Sequence, residues 1–150
     1  VLWELNEYYN RGADPSGHSV TQRLEFWKAT LHCWKKSPVF GVGTGDLDDC
    51  LRSSYVEVGT RLKPENRLRP HNQYLSIAAG TGVLGLVVFL VSLFFPFLFR
   101  EHRRILYFAF SLMMWLSMLT EDTLETQTGI TLFALFNSLL LFHFPEEKRS

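Results

Sequence analysis

The chain has 150 residues, of which 47% are hydrophobic and 15% are aromatic, and its 15 basic and 15 acidic side chains cancel. This average composition is that of an ordinary soluble domain. We expect no nucleic-acid partner. The charges are unevenly placed, however. Residues 1–73 carry ten Lys and Arg and nine Asp and Glu, whereas residues 74–99 are 26 residues without any charge.

The first ten residues, VLWELNEYYN, lack the basic start and the apolar run of a signal peptide. They open without Met, in what reads as the middle of a loop. We therefore interpret the chain as the C-terminal fragment of a larger membrane protein, with further membrane helices upstream. Residues 1–18 as a whole, polar and rich in turn formers, are interpreted as a loop.

A first helix is predicted from Ser19, which forms a capping box with Gln22. Its apolar stripe is expected at Leu24, Trp27, Leu31 and Trp34. Pro38 should end this helix.

The glycines of residues 41–45 predict a flexible turn, after which Asp46 can cap a second helix. The apolar face of this helix is expected at Leu47, Leu51, Tyr55 and Val58. Cys33 and Cys50 fit neither a CxxC pair nor a zinc cluster. We expect them to be two small buried apolar residues, although a disulfide would be permitted outside the cytoplasm.

Three transmembrane helices are predicted, at about residues 74–99, 105–120 and 127–144. The connector at residues 100–104 and the tail at residues 145–150 are basic, whereas the turn with Glu121, Asp122 and Glu125 is acidic. The positive-inside rule therefore places the connector and the tail in the cytoplasm. The charged head, residues 1–73, and the acidic turn then share the extracytoplasmic face, where the ten basic residues of the head suit an anionic ligand.

His71 and Asn72 stand at the water-exposed mouth of the first predicted span, whose first turns contain Gly80, Gly82 and Gly85. Such small residues allow another helix or a lipid chain to approach closely. An imidazole is the side chain best suited to take a proton from a hydroxyl near neutral pH. A lone histidine at this place is more often an interface residue.

The pair His71-Asn72, nine residues, and then Gly82-Val83-Leu84-Gly85 resembles a pattern of the O-antigen ligase family, which is similar to polysaccharide polymerases in its C-terminal half. Three further pieces follow the family's order. They are Arg23-Leu24-Glu25-Phe26-Trp27, Pro38-Val39-Phe40-Gly41-Val42-Gly43, and Glu121-Asp122 with Leu124-Glu125.

The resemblance implies an all-α, multi-spanning glycosyltransferase of the C type in the bacterial inner membrane, with its active site on the periplasmic side. It implies that the enzyme, without a metal or other cofactor, moves a glycan from undecaprenyl diphosphate to an acceptor such as the lipid A-core. His71 would be the catalytic histidine, with Arg23 contacting the diphosphate. A second arginine of the family has no secure match here and is expected upstream.

Further candidates for substrate binding are Asn72, Arg69, Arg67 and Glu121. Arg69 and Arg67 precede His71 closely, and a guanidinium can bind a diphosphate with two parallel hydrogen bonds. Both could instead be solvated loop charges or contacts to lipid headgroups. Glu121, with Asp122 and Glu125, could pair with an arginine or hold the acceptor, or the three could simply form a polar turn.

Several functions remain open at this stage. A polymerase would use the same chemistry with a second lipid-linked glycan as acceptor, and a protein O-glycosylase would use a Ser or Thr. A transporter for the lipid-linked glycan would also need basic residues around a diphosphate, but it would not need His71.

Overall fold

The protein is all-helical in the part that the structure, a computed structural model, describes: residues 2–11, 15, 18–98 and 105–142. The helices are α1 (Leu2–Asn6), α2 (Ser19–Lys36), α3 (Leu47–Glu57), α4 (Gln73–Leu98), α5 (Ile105–Ser117) and α6 (Gln127–Phe142), with a π-helical turn at Glu7–Arg11 and 3₁₀ turns at Pro64–Asn66 and Thr123–Glu125. The predicted connector at residues 100–104 and the tail at residues 145–150 lie outside these ranges.

The start of the chain is helical where a loop was predicted. Helix α1 and the turn after it pack against α2: the rings of Trp3 and His18 lie 5.4 Å apart, and the Tyr8 hydroxyl donates a hydrogen bond to Glu25. Contacts with α2 therefore stabilise these helical turns, although the polar, turn-rich composition of residues 1–18 indicates a loop.

The charged head, residues 1–73, is built around one apolar core that α2 and α3 form against the start of α4. Its buried members are Phe26, Ala29, Cys33, Leu47, Leu51, Tyr55, Leu62 and Ala79. The predicted face of α3 is confirmed, because Leu47, Leu51 and Tyr55 are buried and Val58 packs against them. This core fixes the position of α2 relative to the residues before α4.

The predicted face of α2 was wrong. Leu31 is exposed, and Trp27 and Trp34 lie at the margin of the core, whereas Ala29 and Cys33 are fully buried. Helix α2 packs on α3 and α4 at once, and small side chains let two neighbours approach. The buried face of α2 also contains Phe26 and Glu25, so contact with two neighbouring helices, and not a single apolar stripe, determines it.

The predicted capping box at Ser19 was also wrong. The N-cap residue is His18, so Ser19 already belongs to the helix, and His18 makes no side-chain cap bond. Thr21 donates its hydroxyl hydrogen bond to the His18 carbonyl instead, at 3.2 Å. The predicted end of this helix is confirmed, since α2 stops at Lys36, just before Pro38.

Cys33 and Cys50 form a disulfide that joins α2 to α3, with their Cα atoms 5.8 Å apart. The expectation of two unpaired cysteines was therefore wrong. Spacing along the sequence could not reveal the pair, because only the packing of the two helices brings the cysteines together. Disulfides persist in oxidising compartments such as the periplasm.

Removal of this disulfide should destabilise the head. Closing a loop of this length contributes about 3 kcal/mol by the chain-entropy estimate, so we expect the Cys33→Ala/Cys50→Ala double variant of the full-length protein to melt at a lower temperature in detergent. A reductant should lower the melting temperature of the wild type but not that of the variant. Equal melting temperatures for both proteins without reductant would contradict the prediction.

Helix α4 is broken at Gly82, which has φ 71° and ψ −172°. Before the break the helix is packed against α2, and Ser76, Ala78 and Ala79 are buried. Beyond it most apolar side chains are exposed, including Val83 and Leu84. The break therefore divides α4 into a first part embedded in the head and a second part with an open apolar surface.

The segment of residues 38–43, which we call the docking loop, fills this break. The amides of Val83 and Leu84 donate to the carbonyls of Pro38 and Val39, at 2.9 and 3.3 Å. In return, the amides of Val42 and Gly43 donate to Ala79 and Gly80, each at 2.9 Å. Close approach at the glycines was predicted correctly, but a loop approaches them and not a helix or a lipid chain.

Helix α4 is the one described helix that is long and apolar enough to cross a membrane, with a mean hydropathy of 2.4 over its best window. Helices α5 and α6, of 13 and 16 residues, are apolar but shorter. They pack against each other and against α4 through Tyr107, Phe110, Met114 and Leu140. The crossing of the membrane by α5 and α6 stays a prediction.

Candidate functional site

His71 occupies the turn that enters α4, and the acidic turn between α5 and α6 holds it there. Its φ of 47° is the one left-handed value among the described non-glycine residues. The Asp122 carboxylate accepts hydrogen bonds from the backbone amides of His71 and Asn72, at 3.1 and 3.2 Å, and from the Ser76 hydroxyl at 2.7 Å. Three donors on one carboxylate stabilise a backbone conformation that a histidine rarely adopts.

Asn72 fastens the same turn. Its side-chain oxygen accepts from the Leu75 amide at 3.1 Å, as an N-cap residue does, and its side-chain nitrogen donates to the Leu119 carbonyl at 3.0 Å. The side chain is buried. Asn72, predicted to bind substrate, is thus placed to fix the backbone beside His71.

Glu121 joins the two residues that the sequence pointed to most strongly. One carboxylate oxygen lies 3.2 Å from His71 Nδ1, and the other accepts from Arg23 Nη2 at 3.3 Å. The Phe26 ring, 5.8 Å from the His71 ring, covers it from the side of α2. The imidazole and the guanidinium therefore meet across one carboxylate, although 48 positions of sequence separate His71 from Arg23.

Arg69 lies in the same region but is already paired with two carboxylates. Its Nε donates to Asp48 at 2.9 Å, and its Nη1 donates to Glu125. The hydrogen bond from Arg69 lowers the pKa of Asp48. Burial raises the pKa of Glu125, and the charge of Asp122 adds to that rise while Arg69 opposes it. Arg69 thus ties α3 to the acidic turn.

Arg67 is the candidate that the structure places apart. Its Nε donates to the Leu62 carbonyl at 3.2 Å. Arg67 also lines a second cavity, of about 220 Å³, between α3 and residues 67–69. Of the predicted arginines, Arg23 is the one whose guanidinium contacts Glu121, the carboxylate beside the His71 imidazole.

A cavity of about 700 Å³ opens beside His71. It is lined by Leu68, Arg69, His71, Ser117, Glu121, Asp122, Thr123, Glu125, Thr126, Thr128 and Gly129. Hydroxyl and carboxylate oxygens predominate among its polar groups, and a polyhydroxylated molecule offers donors and acceptors for both. Most of the surface that lines the cavity is apolar, and its volume is large enough for a sugar ring beside the imidazole.

Sequence reasoning did not single out Asp122, which contacts His71, Asn72 and Ser76. It noticed the acidic turn, but Asp122 lies 51 positions from His71, and no periodicity links two turns so far apart. Glu25 was also passed over. It is buried on α2, where hydroxyls of Tyr8 and Thr60 donate to its two oxygens, the latter at 2.5 Å.

Comparison with known protein families gives one match. A family model described as O-antigen ligase covers residues 2–90, more than half of the chain. The matched segment contains Arg23, His71 and the break in α4, whereas the acidic turn lies beyond it. A search of curated proteins and a search of solved structures each found no match.

Proposed function

The chain belongs to the O-antigen ligase family, and from this premise we propose that it moves a glycan from a lipid diphosphate to a sugar hydroxyl. Membership makes it part of a glycosyltransferase-like enzyme of O-antigen processing, associated with the bacterial membrane. Undecaprenyl diphosphate as the carrier and the lipid A-core as the acceptor are the specific substrates of this proposal. Transfer on the periplasmic side is the specific location.

The observation that carries the proposal is the bridge that Glu121 makes between His71 and Arg23. A carboxylate beside Nδ1 favours the tautomer with its proton on that nitrogen and leaves Nε2 free to accept a proton. Nε2 would take the proton of the acceptor hydroxyl as its oxygen attacks the anomeric carbon. Glu121 would stabilise the imidazolium that results.

Arg23 supplies the charge for the leaving group. When the bond from the anomeric carbon to the diphosphate breaks, its electron pair stays on the phosphate oxygen, and a guanidinium stabilises that charge with parallel hydrogen bonds. Attack and departure from opposite faces would invert the anomeric carbon. Arg69 is less suited to this role, because it is paired with two carboxylates, whereas Arg23 is paired with one, which it shares with His71.

The cavity beside His71 suits the acceptor better than the donor's diphosphate. Three carboxylates line it against the single guanidinium of Arg69, so an anionic group would be repelled there. The disulfide between Cys33 and Cys50 supports placing the head outside the cytoplasm, where such bonds persist.

Analysis of cells that lack the full-length protein tests the function. We expect long glycans of normal length to accumulate on the carrier lipid and to disappear from the surface glycolipid, and complementation should restore both. A glycolipid that carries a single repeat unit would show a polymerase instead. Lipid-linked glycan trapped on the cytoplasmic face would contradict enzymatic transfer and indicate a transporter.

Replacement of Arg23 should impair use of the donor. We expect Arg23→Ala in the full-length enzyme to reduce kcat/KM for the lipid-linked donor by about 10²-fold, since it removes one charge-assisted contact to the leaving group. The KM for the acceptor should change little. Arg52→Ala is the matched control, because Arg52 is exposed on α3 and lines the cavity of Arg67, not the one beside His71. An equal loss in both variants would contradict a specific role for Arg23.

A further inference from the structure

The tip of the docking loop, Val39 and Phe40, is an exposed apolar point on an otherwise charged head. Phe40 is 74% exposed, and Val39 is exposed as well. Soluble surfaces carry single apolar residues without consequence. Val39 and Phe40 differ from such residues because the backbone of the docking loop is hydrogen-bonded to α4, at the start of its exposed apolar surface.

The docking loop is attached to α4 where its open apolar surface begins. Pro38 and Val39 accept the amides of Val83 and Leu84, the first two residues after the break. From Gln73 to Val83 a helix rises about 15 Å, so the tip lies that much further along α4 than the turn of His71. The tip therefore stands at the start of the lipid-facing part and not beside the acidic turn.

The side chains around the tip continue the same surface. The neighbouring positions on α4, Val83, Leu84, Val87 and Val88, are all exposed and apolar. The last turn of α2 ends in Lys35 and Lys36, both exposed, and Lys36 is paired with Glu57 at 2.8 Å. An apolar tip close to an exposed lysine, here Lys35, is the arrangement of a segment that enters the acyl region while a basic residue meets an anionic headgroup.

The hydrogen bonds of the break lower the cost of such a position. Irregular backbone is tolerated at membrane depth only where its polar groups are satisfied by protein. The docking loop and α4 satisfy four of them reciprocally, and Trp34 Nε1 donates to the Pro38 carbonyl at 3.2 Å. The loop can thus accompany α4 below the membrane surface.

We propose that the Val39–Phe40 tip is inserted into the outer face of the bilayer and contacts phospholipid acyl chains. The head would then be attached to the membrane at two places, α4 and the docking loop. A second attachment fixes the height of α2, and with it Arg23, above the lipid surface from which a membrane-borne substrate arrives. The insertion itself stands on the loop's geometry and not on the proposed chemistry.

Photo-crosslinking in the full-length protein tests this proposal. A benzoylphenylalanine in place of Phe40 should, on irradiation in native membranes, give an adduct whose added mass is that of a phospholipid. The matched control is the same residue in place of Trp3, which is 62% exposed and packs on His18, at the opposite end of α2 from the docking loop. The lipid adduct should be lost at this control position.

Two results would overturn the proposal. One is a crosslink from position 40 to protein only, which would show that another segment or subunit covers the tip. The other is a lipid adduct of equal yield at positions 40 and 3, which would show unspecific contact. Both readouts are independent of glycan transfer, so the test stands whether or not the proposed function does.

Discussion

Replacement of His71 by asparagine is expected to reduce the rate of glycan transfer by about 10²- to 10⁴-fold, the usual contribution of a general base. Asparagine is chosen because it tolerates the left-handed backbone that His71 adopts, at φ 47°. The imidazole is then removed without added backbone strain. We expect the melting temperature of the full-length protein to stay near that of the wild type.

His32→Asn is the matched control for this variant. His32 lies on the head, 3.4 Å from Glu57, and has no contact with the acidic turn. We expect it to retain full transfer activity. If His71→Asn transferred glycan as fast as His32→Asn, His71 would not be the base, and the transporter interpretation would gain support.

Replacement of Gly82 by alanine is expected to destabilise the protein strongly. A Cβ at this position would lie 2.1 Å from the Val39 carbonyl oxygen, and the backbone is left-handed. Backbone strain of about 1–3 kcal/mol then adds to a clash with main-chain atoms that cannot turn aside. The docking loop would have to leave the break in α4, which breaks four main-chain hydrogen bonds.

Gly45→Ala provides the control. An added Cβ there meets no heavy atom within 4 Å, so its effect should stay within about 0.5 kcal/mol. Comparison of the two melting curves in detergent measures the difference. Equal melting temperatures would show that the break in α4 is not held by the docking loop.

The sequence predicted the parts of the fold that depend on local chemistry. Pro38 ended α2 as expected, and the spacing of Leu47, Leu51 and Tyr55 gave the buried face of α3. The buried face of α2 was predicted wrongly because this helix packs against both α3 and α4. The periodicity of a single helix does not show how many neighbours it has. The disulfide was missed for the same reason, since only the packing of α2 on α3 brings Cys33 to Cys50.

The site was predictable in its residue types but not in its connections. The pattern around His71 and the helix with Arg23 indicated the two principal groups, and the acidic turn drew attention by its place at the membrane surface. That Glu121 joins both, and that Asp122 holds the His71 backbone, follows from contacts over 50 residues and more. Arg69 shows the converse, because proximity in sequence suggested a free guanidinium and the fold gives it two carboxylates.

The central claim is that the site around His71 and Arg23 transfers a glycan from a lipid diphosphate to a sugar. The most direct measurement uses the purified full-length protein in detergent with a lipid-diphosphate-linked glycan and a glycolipid acceptor. We expect glycosylated acceptor and free lipid diphosphate in equal amounts from the wild type, and neither product from His71→Asn. Lipid-linked glycan that is recovered intact, from wild type and variant alike, would contradict this claim.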